Sequence, residues 1–341
     1  MTAKTTVPFS FPDPLTLCGR PFQPGRARIA IIGAGVMGPG IAQVFAEHGF
    51  DVDLCDISAA MLERGIASLK DSLALKATLG IIDPEAAAAA LARVAPGDVS
   101  DKVLANAALV IEAVTENENI KREIYARVLE HSSAQTAVWS NTSTLNVFAL
   151  APPELLNRLL VAHWFAPPHI LPLVEVVAAQ DASTDLRDES VAILRGLGKT
   201  PVVLDKFLPG FIINRLLRAL GREAFHMIES GIVSIEGLDI AVRTSLAPRM
   251  QVLGLMQRYD YTGLNLSMRN LEDTQIVDAP VDLAPRILKD RVDRGEHGVT
   301  TGRGFYDYSG RSALDLQRQR DQKLWEVVQG LAELLSNPKP I

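Results

Sequence analysis

The chain has 341 residues, 48% of them apolar and 22% charged, with 34 Lys and Arg against 40 Asp and Glu for a net charge of −6. At roughly 150 residues per domain this length suits two domains, and the composition excludes disordered, collagen-like and coiled-coil classes. A net-acidic chain without a dense basic run offers nothing to track a phosphate backbone, so nucleic acid is not an expected partner.

The first 27 residues hold Pro8, Pro12, Pro14, Pro21 and Pro24 and no apolar run of the kind a secretory leader needs, which predicts a Pro-rich, loop-like extension. From Arg28 to Lys206 short apolar strands alternate with amphipathic helices, the strands expected at 29–32, 52–55, 108–114, 137–139, 159–162, 173–177 and 202–204. Such alternation calls for right-handed crossovers and a mostly parallel sheet, a Rossmann-type doubly wound α/β domain over 28–206. From 207 to 341 the pattern turns mainly α-helical: Phe211 to Ser230 carries apolar residues at helical spacing, and Gly231 suits the position after a helix end. The longest apolar stretch, Leu159 to Ala179, is broken by His163, Pro167, Pro168, His169, Pro172 and Glu175, so no membrane span is expected. Two cysteines, Cys18 and Cys55, without metal-ligand spacing point to a reducing, cytoplasmic compartment and no metal.

Gly33-Ala34-Gly35-Val36-Met37-Gly38 follows the first strand directly and opens a helix running to about His48. Gly33 suits a tight turn, Gly35 a close approach of backbone to a pyrophosphate, and Gly38 close packing of helix on strand, with free N–H groups facing the anion. The next strand ends in Asp56, whose carboxylate suits both ribose hydroxyls and would repel a 2′-phosphate. NAD is therefore the expected cofactor rather than NADP. A bare βα turn with a capping Asp would leave the same text.

His163 stands just past one strand and Glu175 within another, Leu173-Val174-Glu175-Val176-Val177. A carboxylate in such a strand either faces water or needs a donor, and an imidazole is a suitable one. Ser143 follows the strand ending in Trp139, and Asn214 lies in an apolar helical stretch where a buried amide needs partners.

Six segments in order carry a resemblance: Gly33 to Gly38; Val110-Ile111-Glu112-Ala113-Val114-Thr115-Glu116-Asn117; Ser140-Asn141-Thr142-Ser143; His163 through Val177; Pro209-Gly210-Phe211-Ile212-Ile213-Asn214-Arg215; and Gly302-Arg303-Gly304-Phe305-Tyr306-Asp307-Tyr308. Over nearly everything after Arg28 the chain resembles the L-3-hydroxyacyl-CoA dehydrogenase family. The resemblance implies an NAD-dependent enzyme interconverting (S)-3-hydroxyacyl-CoA and 3-oxoacyl-CoA. It implies His163 as general base, Glu175 as its orienter, Ser143 at the reacting oxygen, Asn214 at the substrate, Glu116 and Lys121 near the cofactor, and a homodimer through the helical domain. The predicted helix after Asp56 puts Leu62, Ile66, Leu69 and Leu73 on one face and Arg64, Ser68, Ser72 and Lys76 in a polar stripe, in the region where the family binds the nucleotide of CoA. A solvated helix face accounts equally for that stripe. One departure stands out: Ala166 occupies the position where the family usually has Asn, three residues after the base. Two other readings stay open, a dehydrogenase of a non-CoA 3-hydroxy acid such as a sugar acid or carnitine, and an inert NAD-binding protein like lambda-crystallin.

Overall fold

The computed structural model describes residues 11, 15–179, 182 and 184–336, so Pro8, Pro12 and Pro14 lie outside it. The chain divides into two compact units, Met1–Ile212 and Ile213–Ile341.

In the first unit the elements run β1 (Thr16–Leu17), β2 (Arg20–Pro21), β3 (Arg28–Ile32), α1 (Gly38–Glu47), β4 (Asp51–Cys55), α2 (Ala59–Thr78), α3 (Pro84–Ala92), β5 (Val94–Gly97), α4 (Asp101–Asn106), β6 (Leu109–Glu112), α5 (Glu118–His131), β7 (Ala137–Ser140), β8 (Leu159–Trp164), β9 (Leu173–Ala178), α6 (Thr184–Gly196) and β10 (Thr200–Val203). Strands β3 to β10 form one sheet in the order β10-β9-β8-β7-β6-β3-β4-β5. Every neighbouring pair is parallel except β8 and β9. The chain leaves β3 toward β4 and β5, then crosses back to place β6 on the other side of β3. The carboxyl ends of β3 and β6 therefore border the crevice where doubly wound sheets bind ligands. The central strands are near-continuous apolar runs because both faces are covered: Ile29, Ile31, Val110, Ile111, Val138, Trp139, Leu160 and Val161 are fully buried.

Three expectations need correction. Residues 15–27 are anchored, not loop-like: β1 and β2 form a small antiparallel hairpin, and Leu15, Leu17 and Phe22 are buried, Phe22 stacking 5.1 Å from Phe50. Strand β5 went unforeseen because Pro96 and Gly97 mask it, a composition that an edge strand tolerates. The division between units falls at 212 rather than 206, since Phe207 and Phe211 pack on the core beneath β6 and β7 and the Ile212 N–H bonds to Glu175.

The second unit is helical throughout its regular structure: α7 (Ile213–Glu229), α8 (Ile235–Ala241), a π-helical turn at Val242–Leu246, α9 (Ala247–Leu253), α10 (Met256–Thr262), α11 (Leu264–Glu272), α12 (Arg286–Asp293), α13 (Ala313–Gly330) and α14 (Ala332–Ser336). Gly231, with φ of 69°, follows the end of α7 as expected. No residue of α7 is buried within the single chain, and Leu216, Leu217 and Leu220 are exposed. Among the described residues no helix is long and apolar enough to cross a membrane.

Candidate active site

The glycine turn is built as its spacing requires. Gly33 sits at φ of +113°, and a Cβ there would come within 2.4 Å of the Ala113 carbonyl oxygen, so the ends of β3 and β6 touch through it. A Cβ on Gly38 would lie 1.8 Å from the Gly33 oxygen. Gly35 differs: its Cβ direction is open, the nearest atom being the Met61 methyl at 3.9 Å. That open cradle lies at the N-terminus of α1, whose N-cap Met37 makes no side-chain capping bond. Val36 is exposed beside it. Asp56 accepts the Ala34 N–H at 2.8 Å through one oxygen and the Ser58 N–H at 2.9 Å through the other, and each oxygen keeps further lone-pair capacity for ribose hydroxyls. These features fit a dinucleotide with an unphosphorylated ribose.

Along the same edge, Ile32, Glu112 and Ser140 stand in register on β3, β6 and β7. Glu112 is fully buried and its charge is met by Lys121 Nζ at 2.7 Å, with the Tyr125 hydroxyl at 2.8 Å and the Ser140 hydroxyl at 2.6 Å donating to its other oxygen. Burial and the Glu112 charge push the Tyr125 phenol far up, so it stays protonated and able to donate to Glu112. Lys121 also reaches Glu116 at 3.3 Å. Glu116 in turn gathers the turn after β7: the Thr142 hydroxyl at 2.7 Å and the N–H groups of Ser143 and Thr144, each at 2.9 Å, donate to one of its oxygens. Burial alone would raise the Glu116 carboxyl, but the Thr142 and Thr144 bonds, with Lys121, carry it down to about 2. Lys121 was expected to touch the cofactor. Its ammonium is instead enclosed, with 1% of its side chain exposed, and its contacts are Glu112 and Glu116. Ser143 is partly exposed on the held turn and caps no helix, since the following 3-10 turn starts from Asn146 without a side-chain cap.

The antiparallel pairing of β8 and β9 sets His163 directly opposite Glu175. Nδ1 of His163 lies 2.8 Å from Glu175 Oε2, and the other carboxylate oxygen accepts the Ile212 N–H at 2.9 Å. Glu175 is fully buried, and His163 is buried to 6% exposure. A carboxylate on Nδ1 fixes the tautomer with hydrogen there, leaving Nε2 as the acceptor. The rings of Phe165 and Phe211 stand 4.6 and 5.4 Å from the imidazole. Phe211 adopts φ of +46°, a left-handed conformation that brings its ring to His163 and aims the next N–H at Glu175. The Asn141 carboxamide oxygen accepts the Trp164 N–H at 2.9 Å, tying the turn after β7 to the residue after the histidine. The sequence pointed to neither Phe211, Ile212 nor Asn141 as individuals, although all three lie in segments that carry the resemblance.

The substrate candidates on α2 separate. Lys76 is buried and paired with Glu47 at 2.5 Å, so its charge is committed inside the fold. The reason is helical arithmetic: steps of four residues drift by about 40° each, and Lys76 stands seven past Leu69 and three past Leu73, on the buried face. Arg64 and Ser68 are exposed, Arg64 donating to its own helix at the Ala60 carbonyl. Ala166 is exposed on the turn after β8, so its methyl fills no packed space within the unit. Asn214 lies in the first turn of α7, in the second unit, partly buried.

Comparison with known proteins identifies the family. Residues 28–207 match the family model described as 3-hydroxyacyl-CoA dehydrogenase, NAD binding domain, and residues 210–308 match the model for its C-terminal domain. A 5-formyl-3-hydroxy-2-methylpyridine 4-carboxylate 5-dehydrogenase from Mesorhizobium japonicum is 33% identical over 302 residues, covering 88% of this chain and 96% of its own. A 3-hydroxybutyryl-CoA dehydrogenase from Bradyrhizobium diazoefficiens is 34% identical over 289 residues, covering 83% of this chain and 96% of its own. A solved structure of a 5-formyl-3-hydroxy-2-methylpyridine 4-carboxylic acid 5-dehydrogenase, described as an NAD+-dependent dismutase, superposes with a TM-score of 0.80 at 31% identity over 89% of this chain and 98% of that one.

Proposed function

Because the chain belongs to the 3-hydroxyacyl-CoA dehydrogenase family and carries its NAD-binding domain, we propose that it is an NAD-dependent oxidoreductase interconverting a 3-hydroxyl and a 3-oxo group, with His163 as the acid–base residue. The observation that carries this reading is the buried 2.8 Å contact between His163 Nδ1 and Glu175 Oε2. The Gly33–Gly38 turn and Asp56 would hold NAD, which when bound would supply hydride acceptance and donation. His163 takes the hydroxyl proton on Nε2 in oxidation and returns it in reduction. Glu175 holds Nδ1–H in place and offsets the charge of the imidazolium, while the Ile212 N–H keeps the carboxylate from turning. Phe165 and Phe211 limit water around the ring. Ser143, on the turn fixed by Glu116, holds the reacting oxygen, and Asn214 meets the substrate. An intact dyad speaks against an inert NAD-binding role.

The substrate we favour is a hydroxy acid not carried on CoA. Burial of Lys76 removes a cation from the α2 stripe, leaving Arg64 of the basic pair expected for a CoA nucleotide. The (S)-3-hydroxyacyl-CoA reading stands second, supported by the 3-hydroxybutyryl-CoA dehydrogenase among the relatives. A cytoplasmic homodimer belongs to either reading, supported by the free thiols of Cys18 and Cys55 and the exposed leucines of α7. NADH oxidation measured with acetoacetyl-CoA beside a panel of free 3-oxo acids separates the two. We expect turnover of a free acid to exceed that of the thioester; turnover of the thioester alone would restore the CoA reading, and turnover of none would remove the dehydrogenase.

A further inference from the structure

Strand β10 begins at the edge of the sheet where β8 ends, because β9 runs antiparallel to β8 and β10 runs parallel to β9. Lys199 stands one residue before β10, in the first unit with the His163–Glu175 pair. Its own N–H closes onto the Leu194 carbonyl at 2.9 Å past the end of α6, with Gly198 at φ of +71°, so the base of the side chain is fixed. The side chain is buried, and its Nζ donates to the Pro168 carbonyl at 2.6 Å and the Leu171 carbonyl at 3.1 Å. Both carbonyls belong to residues 165–172, which connect β8 to β9. Burial pushes the Lys199 ammonium down to about 7, the Lys76 charge adding to the shift and Glu47 opposing it. A methionine would fill the same space without desolvating an amine, so what this side chain adds is donors. The other side of the connection lies against α1: a Cβ on Gly40 would come within 2.6 Å of Pro168 Cγ and 3.1 Å of His169 Nδ1. The connection thus touches the helix that follows the dinucleotide turn, and it carries Phe165, whose ring stands 4.6 Å from the His163 imidazole.

We propose that Lys199 is a positioning residue for the reaction: its amine holds the β8–β9 connection against α1 and so keeps Phe165 against the catalytic imidazole. The connection is poor in donors of its own, since Pro167, Pro168 and Pro172 have no N–H, and the Ile170 and Leu171 N–H groups both turn back to the Pro167 carbonyl at 3.0 Å. Its outward carbonyls are therefore met from the start of β10: Pro168 and Leu171 by Lys199 Nζ, and Pro172 by the Thr200 N–H at 2.8 Å. A neutral amine keeps two N–H groups, one for each of its two carbonyls, so the hold does not depend on the charge. Without the amine two carbonyls would lose their partner, and the connection would have to shift toward water to satisfy them. That shift would draw Phe165 from His163 and let water in around the ring. The part played in turnover rests on the dehydrogenase reading above, while the hold on the connection stands apart from it.

Amide hydrogen exchange of the full chain without cofactor, read by mass spectrometry, tests the hold. The expected result is that K199M exchanges the Ile170 and Leu171 amides at least tenfold faster than wild type, while β8 and β9 keep their protection. Unchanged exchange at these amides, or protection lost across the whole sheet, would overturn the hold. Circular dichroism checks that the variant folds. If it does not, G40A decides by the same criterion, because its methyl presses on the connection from α1 with Lys199 intact. The companion measurement is NAD-dependent oxidation of (S)-3-hydroxybutyrate, L-carnitine and (S)-3-hydroxybutyryl-CoA, taking the fastest of the three. In K199M kcat is expected to fall at least tenfold, with KM and the NADH dissociation constant within threefold of wild type. A smaller fall in kcat, or a loss carried by KM or by NADH affinity, overturns the positioning role and leaves the hold. Turnover of no probe by wild type removes the dehydrogenase reading and leaves the exchange result standing.

Discussion

Glu112 and Glu175 are both fully buried carboxylates in the same sheet, yet their partners differ in kind. Glu112 faces Lys121, an ammonium enclosed with it, and is further held by Tyr125 and Ser140. Glu175 faces His163, an imidazole, the side chain suited to passing a proton to and from a substrate. The first arrangement is a fixed charge pair that sets the position of Glu116 and the turn carrying Ser143. The second can gain and lose a proton. A buried carboxylate is thus framework or machinery according to whether its partner is an ammonium or an imidazole, and the sheet carries one of each.

The comparison breaks first at Lys121. Lys121→Met strands Glu112 without its cation, and removing one member of a buried pair costs about 3–5 kcal/mol. Urea denaturation of the cofactor-free protein should show a loss of that size; a loss below about 1 kcal/mol would mean that Glu112 is solvated or protonated. At the other carboxylate the effect should fall on chemistry. His163→Ala is expected to cut turnover by ~100-fold or more with NADH affinity nearly intact, the ordinary worth of a general base. A variant with near wild-type turnover would remove His163 from the mechanism.

Cofactor choice sharpens the picture at the far end of the same edge. NADP should show a kcat/KM at least roughly tenfold below NAD, because a phosphate within about 5 Å of the Asp56 carboxylate is opposed by more than ~1.4 kcal/mol near a protein surface. Equal values would sink the role given to Asp56. The smallest effect concerns Glu116, whose carboxyl is held at about 2 against an ordinary 4.5. A depressed carboxyl stabilises the fold above its ordinary value and loses that contribution as pH falls toward its folded one. With 32% of the side chain exposed, solvent screening reduces the contribution to about 1 kcal/mol. The stability gap between wild type and Glu116→Gln should therefore shrink between pH 4.5 and 2, and a gap that stays constant with pH would contradict the assignment.

The glycine turn, Asp56 and the central strands were legible because each is a local pattern: an apolar run, a glycine spacing, an acid at the next strand end. His163 and Glu175 were legible as a pair of residue types, but their opposition depends on β8 and β9 running antiparallel, which no local periodicity states. Lys76 was misplaced although its heptad relation to Leu69 was there to be read; its partner Glu47 belongs to α1, and only packing shows the two together. Phe211 and the Ile212 N–H escaped notice because their roles follow from a left-handed backbone at a bulky residue.

A dehydrogenase built on this dyad requires Glu175 to work through the proton on His163. Single-turnover NADH oxidation by Glu175→Gln, followed across pH with the acid that the substrate panel identifies, tests it directly. The amide keeps the shape and can still accept from Nδ1–H, but it cannot offset the imidazolium, so the chemical step should slow by ~100-fold with NADH dissociation unchanged and the pH profile displaced. A single-turnover rate and profile matching wild type would contradict the claim.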